Sequence, residues 1–233
     1  MPGSMDSRSS RSLGRMSPLQ NRVAPDGEII ATPHRGLMMG NRGGAFHLPD
    51  QTLGSRRWAT RQWIACVLEF KGRHRQAMMQ PNRYTELFFL DEATALAAGH
   101  RPCFECRRRD AEHFAALWGQ MRGWPAPARA PEMDEGLHAE RVGAQGQKIT
   151  YRAQLSALPD GTFVRLLDGS PEQPYLIDGN NLLPWSPAGY GARLLVAKRR
   201  EAEVLTPRSI VAVLSAGYRP MLHPSAAHPG ETA

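Results

Sequence analysis

The residues best suited to chemistry are two cysteines in the segment GHRPCFECRRRD, residues 99–110. Cys103 and Cys106 are separated by two residues and precede a segment with helical periodicity. At the start of a helix, the two sulfurs of a Cys-x-x-Cys can bind one ion, and the helix amides and dipole stabilise thiolate charge. A thioredoxin-like redox pair needs a preceding βαβ pattern, but here a short helix and Arg-Pro come first. An inert buried pair is the remaining alternative to a metal site.

Cys66 is the third cysteine of the chain, and it lies in the apolar segment QWIACVLEF, which predicts a β-strand. The following segment RYTELFFL predicts a second strand, with KGRHR as the turn of a hairpin. An adjacent hairpin would bring Cys66 to the cysteine pair as a further soft ligand. We therefore favour a metal site over the redox and inert alternatives.

Helix signals surround the cysteine pair on both sides. DEATALAAG predicts a short helix with Asp91 as N-cap and Gly99 as its end, and RDAEHFAALWGQM predicts another after Cys106. The earlier segment TPHRGLMMGNRGGAFH has four glycines without Walker or dinucleotide spacing, so we expect a loop there.

The segment FFLDEATALAAGHRPCFECRRRD resembles the metal-binding domain of the Ada family, bacterial regulators that repair methyl damage in DNA. The resemblance covers about residues 66–109. His100 replaces an aromatic residue of the family pattern. The positions that match in register are Phe88, Phe89, Ala98, Gly99, Arg101, Pro102, Cys103, Cys106 and Arg107. The resemblance implies a zinc site and contact with DNA.

The chain departs from that family at the upstream ligands, which are a close Cys-x-x-x-Cys or His-x-x-x-Cys pair. Only Cys66 is available here, so a histidine is needed to complete a closed tetrahedral site. His47 is the first choice because the family's first ligand would fall there across an insertion; His74, eight residues past Cys66, is the second. The resemblance thus predicts Zn²⁺ bound by Cys66, Cys103, Cys106 and His47. With one upstream cysteine, we expect no methyl transfer to this site.

Charge is distributed unevenly along the chain. The 233 residues have a net charge of +7, and residues 1–110 hold 17 Lys or Arg against 10 Asp or Glu, so this part carries the whole excess. Arginine favours bidentate contact with phosphate, and cations beside Trp58 suit nucleic-acid binding. We expect DNA or RNA as partner, with DNA preferred. The candidate contact residues are Arg56, Arg57, Arg61, Arg73, Arg75, Arg101, Arg107 and Arg108.

Composition and the positions of turn and helix-end residues predict an α+β protein. In it, a small zinc-binding β-hairpin and helix module precedes a β-rich unit with a C-terminal helix. No apolar run is long enough to span a membrane, and three cysteines argue against a secreted disulfide scaffold, so we expect a bacterial-type cytoplasm. The predicted parts are a disordered leader at 1–25, the zinc module at 27–124, a linker or loop at 125–146, the β-rich unit at 147–222 and a tail at 223–233.

Two functions fit these features. In the first, a structural zinc organises a basic surface that contacts nucleic acid. In the second, a metal-dependent enzyme such as a nuclease or DNA-modifying protein keeps an open metal position that activates water. The sequence contains no nucleophile elbow and no paired catalytic carboxylates, so it assigns no catalytic residue.

Overall fold

The fold is taken from a computed structural model that describes residues 17–72, 77–168, 170, 172–197 and 199–227. Within these residues the chain forms four α-helices and two β-sheets, which confirms the α+β class. No helix in these ranges is long and apolar enough to cross a membrane.

The first sheet contains six strands in the order β2-β1-β5-β3-β4-β6. Strand β3 is central and pairs antiparallel with β4 and β5, whereas β4 and β6 run parallel. The strands are β1 Gln20–Val23, β2 Ile29–Ala31, β3 Met38–Arg42, β4 Trp63–Val67, β5 Leu87–Phe89 and β6 Arg101–Pro102.

The second sheet is antiparallel, and its main path has the order β11-β10-β9-β8-β13-β7, with β12 paired to β10. Strand β13, the last strand in the sequence, lies between β7 and β8 in this sheet. The strands are β7 Tyr151–Gln154, β8 Phe163–Leu166, β9 Tyr175–Asp178, β10 Asn181–Ser186, β11 Gly189–Tyr190, β12 Leu194–Leu195 and β13 Glu201–Val204.

The four helices are α1 Glu92–Ala97, α2 Arg108–Met121, α3 Ala130–Arg141 and α4 Arg208–Ser215. Helix α1 begins as predicted, because the Asp91 carboxylate accepts hydrogen bonds from the Thr94 backbone N–H and hydroxyl. Gly99 follows the helix with φ of +89°, a left-handed conformation that glycine adopts at low cost.

Helix α1 joins the two sheets through both its apolar face and its N-terminus. Ala93 and Ala97 pack in one buried cluster with Phe163 and Leu176 of the second sheet. The Tyr190 hydroxyl donates to the Asp91 carboxylate at 2.6 Å, and the Tyr218 hydroxyl donates to Glu92 at 2.6 Å. A second cluster packs α2 and α3 against α4. Residues of the predicted zinc module (27–124) and of the predicted β-rich unit (147–222) therefore pack in the same buried clusters.

The glycine-rich segment predicted as a loop contains β3, the central strand of the first sheet. Gly40 is required there for close packing, since a Cβ at this position would lie 2.1 Å from the Ile64 carbonyl oxygen. Because β3 lies between them, β4 and β5 do not form the predicted hairpin. Turn signals marked the strand ends but did not identify the partner strand.

Residues 125–146, predicted as a linker or loop, contain helix α3. Pro131 lies in its first turn, where the missing N–H costs nothing, and Met133 and Leu137 are fully buried. Strand β1 lies within the predicted leader, and residues 224–226 of the predicted tail form a short 3₁₀-helix.

Candidate metal centre

The three cysteines lie in, or shortly after, two neighbouring strands of the first sheet. Cys66 lies in β4, and Cys103 and Cys106 follow β6, which runs parallel beside β4. The Cys103 backbone N–H donates to the Ala65 carbonyl oxygen at 3.0 Å, which extends the pairing as far as the first cysteine of the pair. The sheet thus fixes the Cys-x-x-Cys turn against the strand that carries Cys66.

All three sulfur atoms lie within 4.8 Å of one another. Sulfurs that share one tetrahedral zinc ion at about 2.3 Å from each are about 3.8 Å apart. Small side-chain adjustments therefore suffice for one ion to contact all three. The expected grouping of Cys66, Cys103 and Cys106 is confirmed, and the cluster could hold a metal ion.

Hydrogen bonds around the sulfurs favour negative charge on Cys103. Hydrogen bonds with Cys106 and Cys66 lower the pKa of Cys103 to about 2, and the backbone N–H groups of Cys106 and Glu105 add to this effect. The pKa of Cys66 is raised, because its thiol is hydrogen-bonded to Cys103 and Cys106 and is largely buried. One thiolate is thus stabilised beside two thiols, and a bound cation would displace the remaining protons.

His47, the preferred fourth ligand, does not belong to this cluster. Its Nδ1 lies 2.8 Å from the Thr85 hydroxyl, and its Nε2 lies 3.3 Å from the Gln80 carbonyl oxygen. Both ring nitrogens are therefore engaged elsewhere, on a loop that forms a bridge between His47 and Leu53. The second choice, His74, lies outside the described residues.

Two of the predicted nucleic-acid contacts are instead internal structural residues. Arg101 is buried and forms a bidentate pair with Asp134 at 2.9 and 2.8 Å. Arg107 is buried and bonds Glu92 at 2.8 Å and Asp110 at 2.7 Å. Because neither guanidinium is on the surface, the assignment of these two residues as nucleic-acid contacts is wrong.

Other predicted contact residues remain accessible. Arg56 and Arg61 are exposed, and Arg57 is partly buried. Arg108 is exposed and pairs with Glu112 on the surface of α2. Arg73 and Arg75 lie outside the described residues.

An open groove of about 530 Å³ runs beside the loop before β4. Its lining includes Arg56, Arg57 and Trp58 from that loop, together with Gln145 and Gly146, which are distant in the sequence. No carboxylate lines this groove among the described residues. We call it the Arg56 groove.

A second group of cations was missed by the sequence analysis. The guanidinium carbons of Arg42 and Arg141 each lie 4.0 Å from the centroid of the Trp63 ring. Both arginines are only 2% exposed, and Lys148 lies nearby with its ammonium bonded to the Ala97 carbonyl oxygen. Arg42 lay in the predicted loop and Arg141 in the predicted linker, so neither had a sequence signal.

Comparisons of the chain with models of known families, with curated proteins and with solved structures find no match. The similarity to the Ada metal-binding domain therefore stays a prediction from the sequence.

Proposed function

We propose that this protein binds nucleic acid, with DNA preferred, through the Arg56 groove, and that a zinc ion held by Cys66, Cys103 and Cys106 stabilises the sheet that carries it. The observation that carries the proposal is the convergence of three sulfurs, one from strand β4 and two from the turn after β6. Strand β4 begins at Trp63, two residues after Arg61 and shortly after the loop that lines the groove.

Zinc is the metal best suited to this donor set. Thiolates are soft ligands that select zinc, copper(I) or iron–sulfur clusters, and Zn²⁺ accepts sulfur and nitrogen ligands in a closed tetrahedral site. When bound, the ion would join β4 to the turn after β6 and add binding energy to folding. Three free thiols are best preserved in a reducing cytoplasm, which is the compartment we propose.

The Arg56 groove has the composition expected for a phosphate backbone. It combines two arginines with a tryptophan, and the described residues place no carboxylate in its lining. Arginines contact phosphates bidentately, and an aromatic ring can stack on a base. The net charge of +7 would add attraction at long range.

A metal-dependent enzyme acting on DNA or RNA is the second candidate. The described residues supply three ligands, and a catalytic zinc has three protein ligands and a water. However, three thiolates give Zn²⁺ a formal charge of −1, which lowers its power to acidify a bound water. We therefore favour the structural role.

Metal content tests the first half of the proposal. The purified full-length protein should contain about one zinc ion per chain, measured by inductively coupled plasma mass spectrometry. Cys66→Ser, Cys103→Ser and Cys106→Ser should each lose zinc, whereas His47→Ala should retain it. His74→Ala tests whether that residue is the fourth ligand. Full zinc occupancy in Cys103→Ser would refute the metal assignment.

Fluorescence anisotropy with a labelled duplex tests the second half. The Arg56→Gln/Arg61→Gln variant removes one arginine that lines the groove and one exposed arginine that lies two residues after the lining loop. It should weaken binding and reduce the slope of log K against log salt by about 2, one for each lost phosphate contact. The matched control Arg152→Gln/Arg199→Gln removes two exposed arginines near the second sheet. Equal effects of the two double variants would show that the groove is not the binding surface.

A further inference from the structure

A small cavity next to the Arg56 groove is lined by more cations than carboxylates. Its volume is about 50 Å³, and the charged side chains on its walls are Arg42, Arg57, Arg141, Lys148, Asp26 and Glu28. Asp26 is already paired with Arg165 at 2.6 Å. Glu28 is therefore the one carboxylate on these walls without an ion pair in the described part of the chain.

The cations of the cavity are bonded mainly to backbone carbonyl groups. Arg42 donates to the carbonyl oxygens of Gly27 at 2.9 Å and Arg57 at 3.2 Å. Arg141 donates to the carbonyl oxygen of Gly99 at 2.6 Å and also to that of Arg61. Carbonyl dipoles satisfy hydrogen bonds but do not neutralise charge, and buried charges are costly unless they are paired.

Arg141 also has an unused donor. Its Nε–H is buried and has no hydrogen-bond partner, although the residue is only 2% exposed. Buried donors of this kind are rare in folded proteins and indicate a missing partner. Burial lowers the pKa of Arg42 and of Arg141 to about 9 and that of Lys148 to about 7, while the carboxylates of Glu28, Asp134 and Asp26 respectively act in the opposite direction.

We propose that this cavity binds a phosphate monoester, whose dianion balances the excess of four cations over two carboxylates on the cavity walls. Guanidinium groups match the geometry of phosphate oxygens, and a lysine adds a point charge. A cavity of about 50 Å³ exceeds the 10–15 Å³ that one water needs, which leaves room for a small oxyanion.

The position of the cavity suggests where the rest of the ligand lies. Arg57, Trp58 and Gly146 line both the cavity and the Arg56 groove. A phosphoryl group in the cavity would therefore be connected to a nucleoside or strand in the groove, beside Trp58. This extension to a strand end rests on the proposed function, whereas binding of the phosphate group does not.

Calorimetric titration of the full chain tests the cavity with paired probes. Inorganic phosphate and AMP should bind, and adenosine should not. Lys148→Met and Arg57→Gln should each weaken binding of AMP about tenfold or more, because each removes a charge-assisted hydrogen bond. The control Arg152→Gln should bind AMP as the wild type does. Thermal unfolding without ligand shows that each variant is folded.

Oligonucleotides with a 5′-phosphate or a 5′-hydroxyl separate the two sources of the ligand. Binding at least tenfold tighter with the 5′-phosphate identifies a strand end, whereas equal binding of both oligonucleotides, with AMP still bound, identifies a free phosphate compound. Failure to distinguish AMP from adenosine, or equal AMP affinities in Lys148→Met, Arg57→Gln and Arg152→Gln, would overturn the proposal. Loss of duplex binding in Arg56→Gln/Arg61→Gln with AMP binding intact would leave the cavity and the groove as separate sites.

Discussion

The buried pair between Arg101 and Asp134 gives the most quantitative prediction about this fold. The two side chains are 2% and 11% exposed, and they share two hydrogen bonds. Among the described residues, Asp134→Ala leaves the guanidinium with a hydrogen bond to the Pro102 carbonyl oxygen at 3.2 Å and a contact with the Phe104 ring. Leaving such a charge buried and unpaired costs about 3–5 kcal/mol.

Equilibrium unfolding in urea, followed by circular dichroism, measures this loss. A decrease of about 3–5 kcal/mol corresponds to a fall in melting temperature of about 6–20 °C for a chain of this size. The matched control is Glu112→Ala, which breaks the pair with Arg108 whose side chains are 76% and 56% exposed. Exposed pairs contribute little, so we expect a change of at most about 0.5 kcal/mol.

A double variant separates the charge effect from general loss of packing. Arg101→Met/Asp134→Leu removes both charges while retaining much of the volume, and it should recover most of the stability lost in Asp134→Ala. If the wild type binds DNA as we propose, the double variant should bind it equally well, since Arg101 is not on the surface. Equal destabilisation by Asp134→Ala and Glu112→Ala, or no recovery in the double variant, would refute this reasoning.

Three further predictions concern other parts of the molecule. After incubation with methylphosphotriester DNA, the protein mass should be unchanged, and a gain of about 14 Da on Cys66 would contradict this. Tyr190→Phe should lower the free energy of unfolding by about 1–2 kcal/mol in urea, because it removes a buried hydrogen bond to Asp91. Burial lowers the folded-state pKa of Lys148 to about 7, so the unfolded chain binds more protons above that pH; stability should rise between about pH 7 and 9, and less steeply in Lys148→Met.

Features that are determined by residues close together in the sequence could be predicted from the sequence. Helix α1 was predicted with its cap at Asp91 and its end at Gly99, because capping bonds and a left-handed glycine act within one turn. The Cys103 and Cys106 pair was recognised for the same reason, since two residues of spacing place both sulfurs within reach of one ion.

Pairing between distant segments was decided by the tertiary structure. The insertion of β3 between β4 and β5 depends on the close approach of Gly40 to the Ile64 carbonyl oxygen. Arg101 was predicted as a surface contact, but in the structure it pairs with Asp134 of helix α3, 33 residues away in the sequence. Sequence periodicity reports the exposure of a strand or helix face, but it does not specify which distant residue packs against that face.

The candidate sites show the same division. The three cysteines were identifiable by residue type alone, whereas the fourth ligand was not, because His47 lies on a loop whose path places it beside Thr85. The cation cavity had no sequence signal at all, since Arg42, Arg141 and Lys148 come from three separate segments. Residue types therefore indicated a possible metal-binding cluster, and packing of distant segments determined where the charged side chains meet.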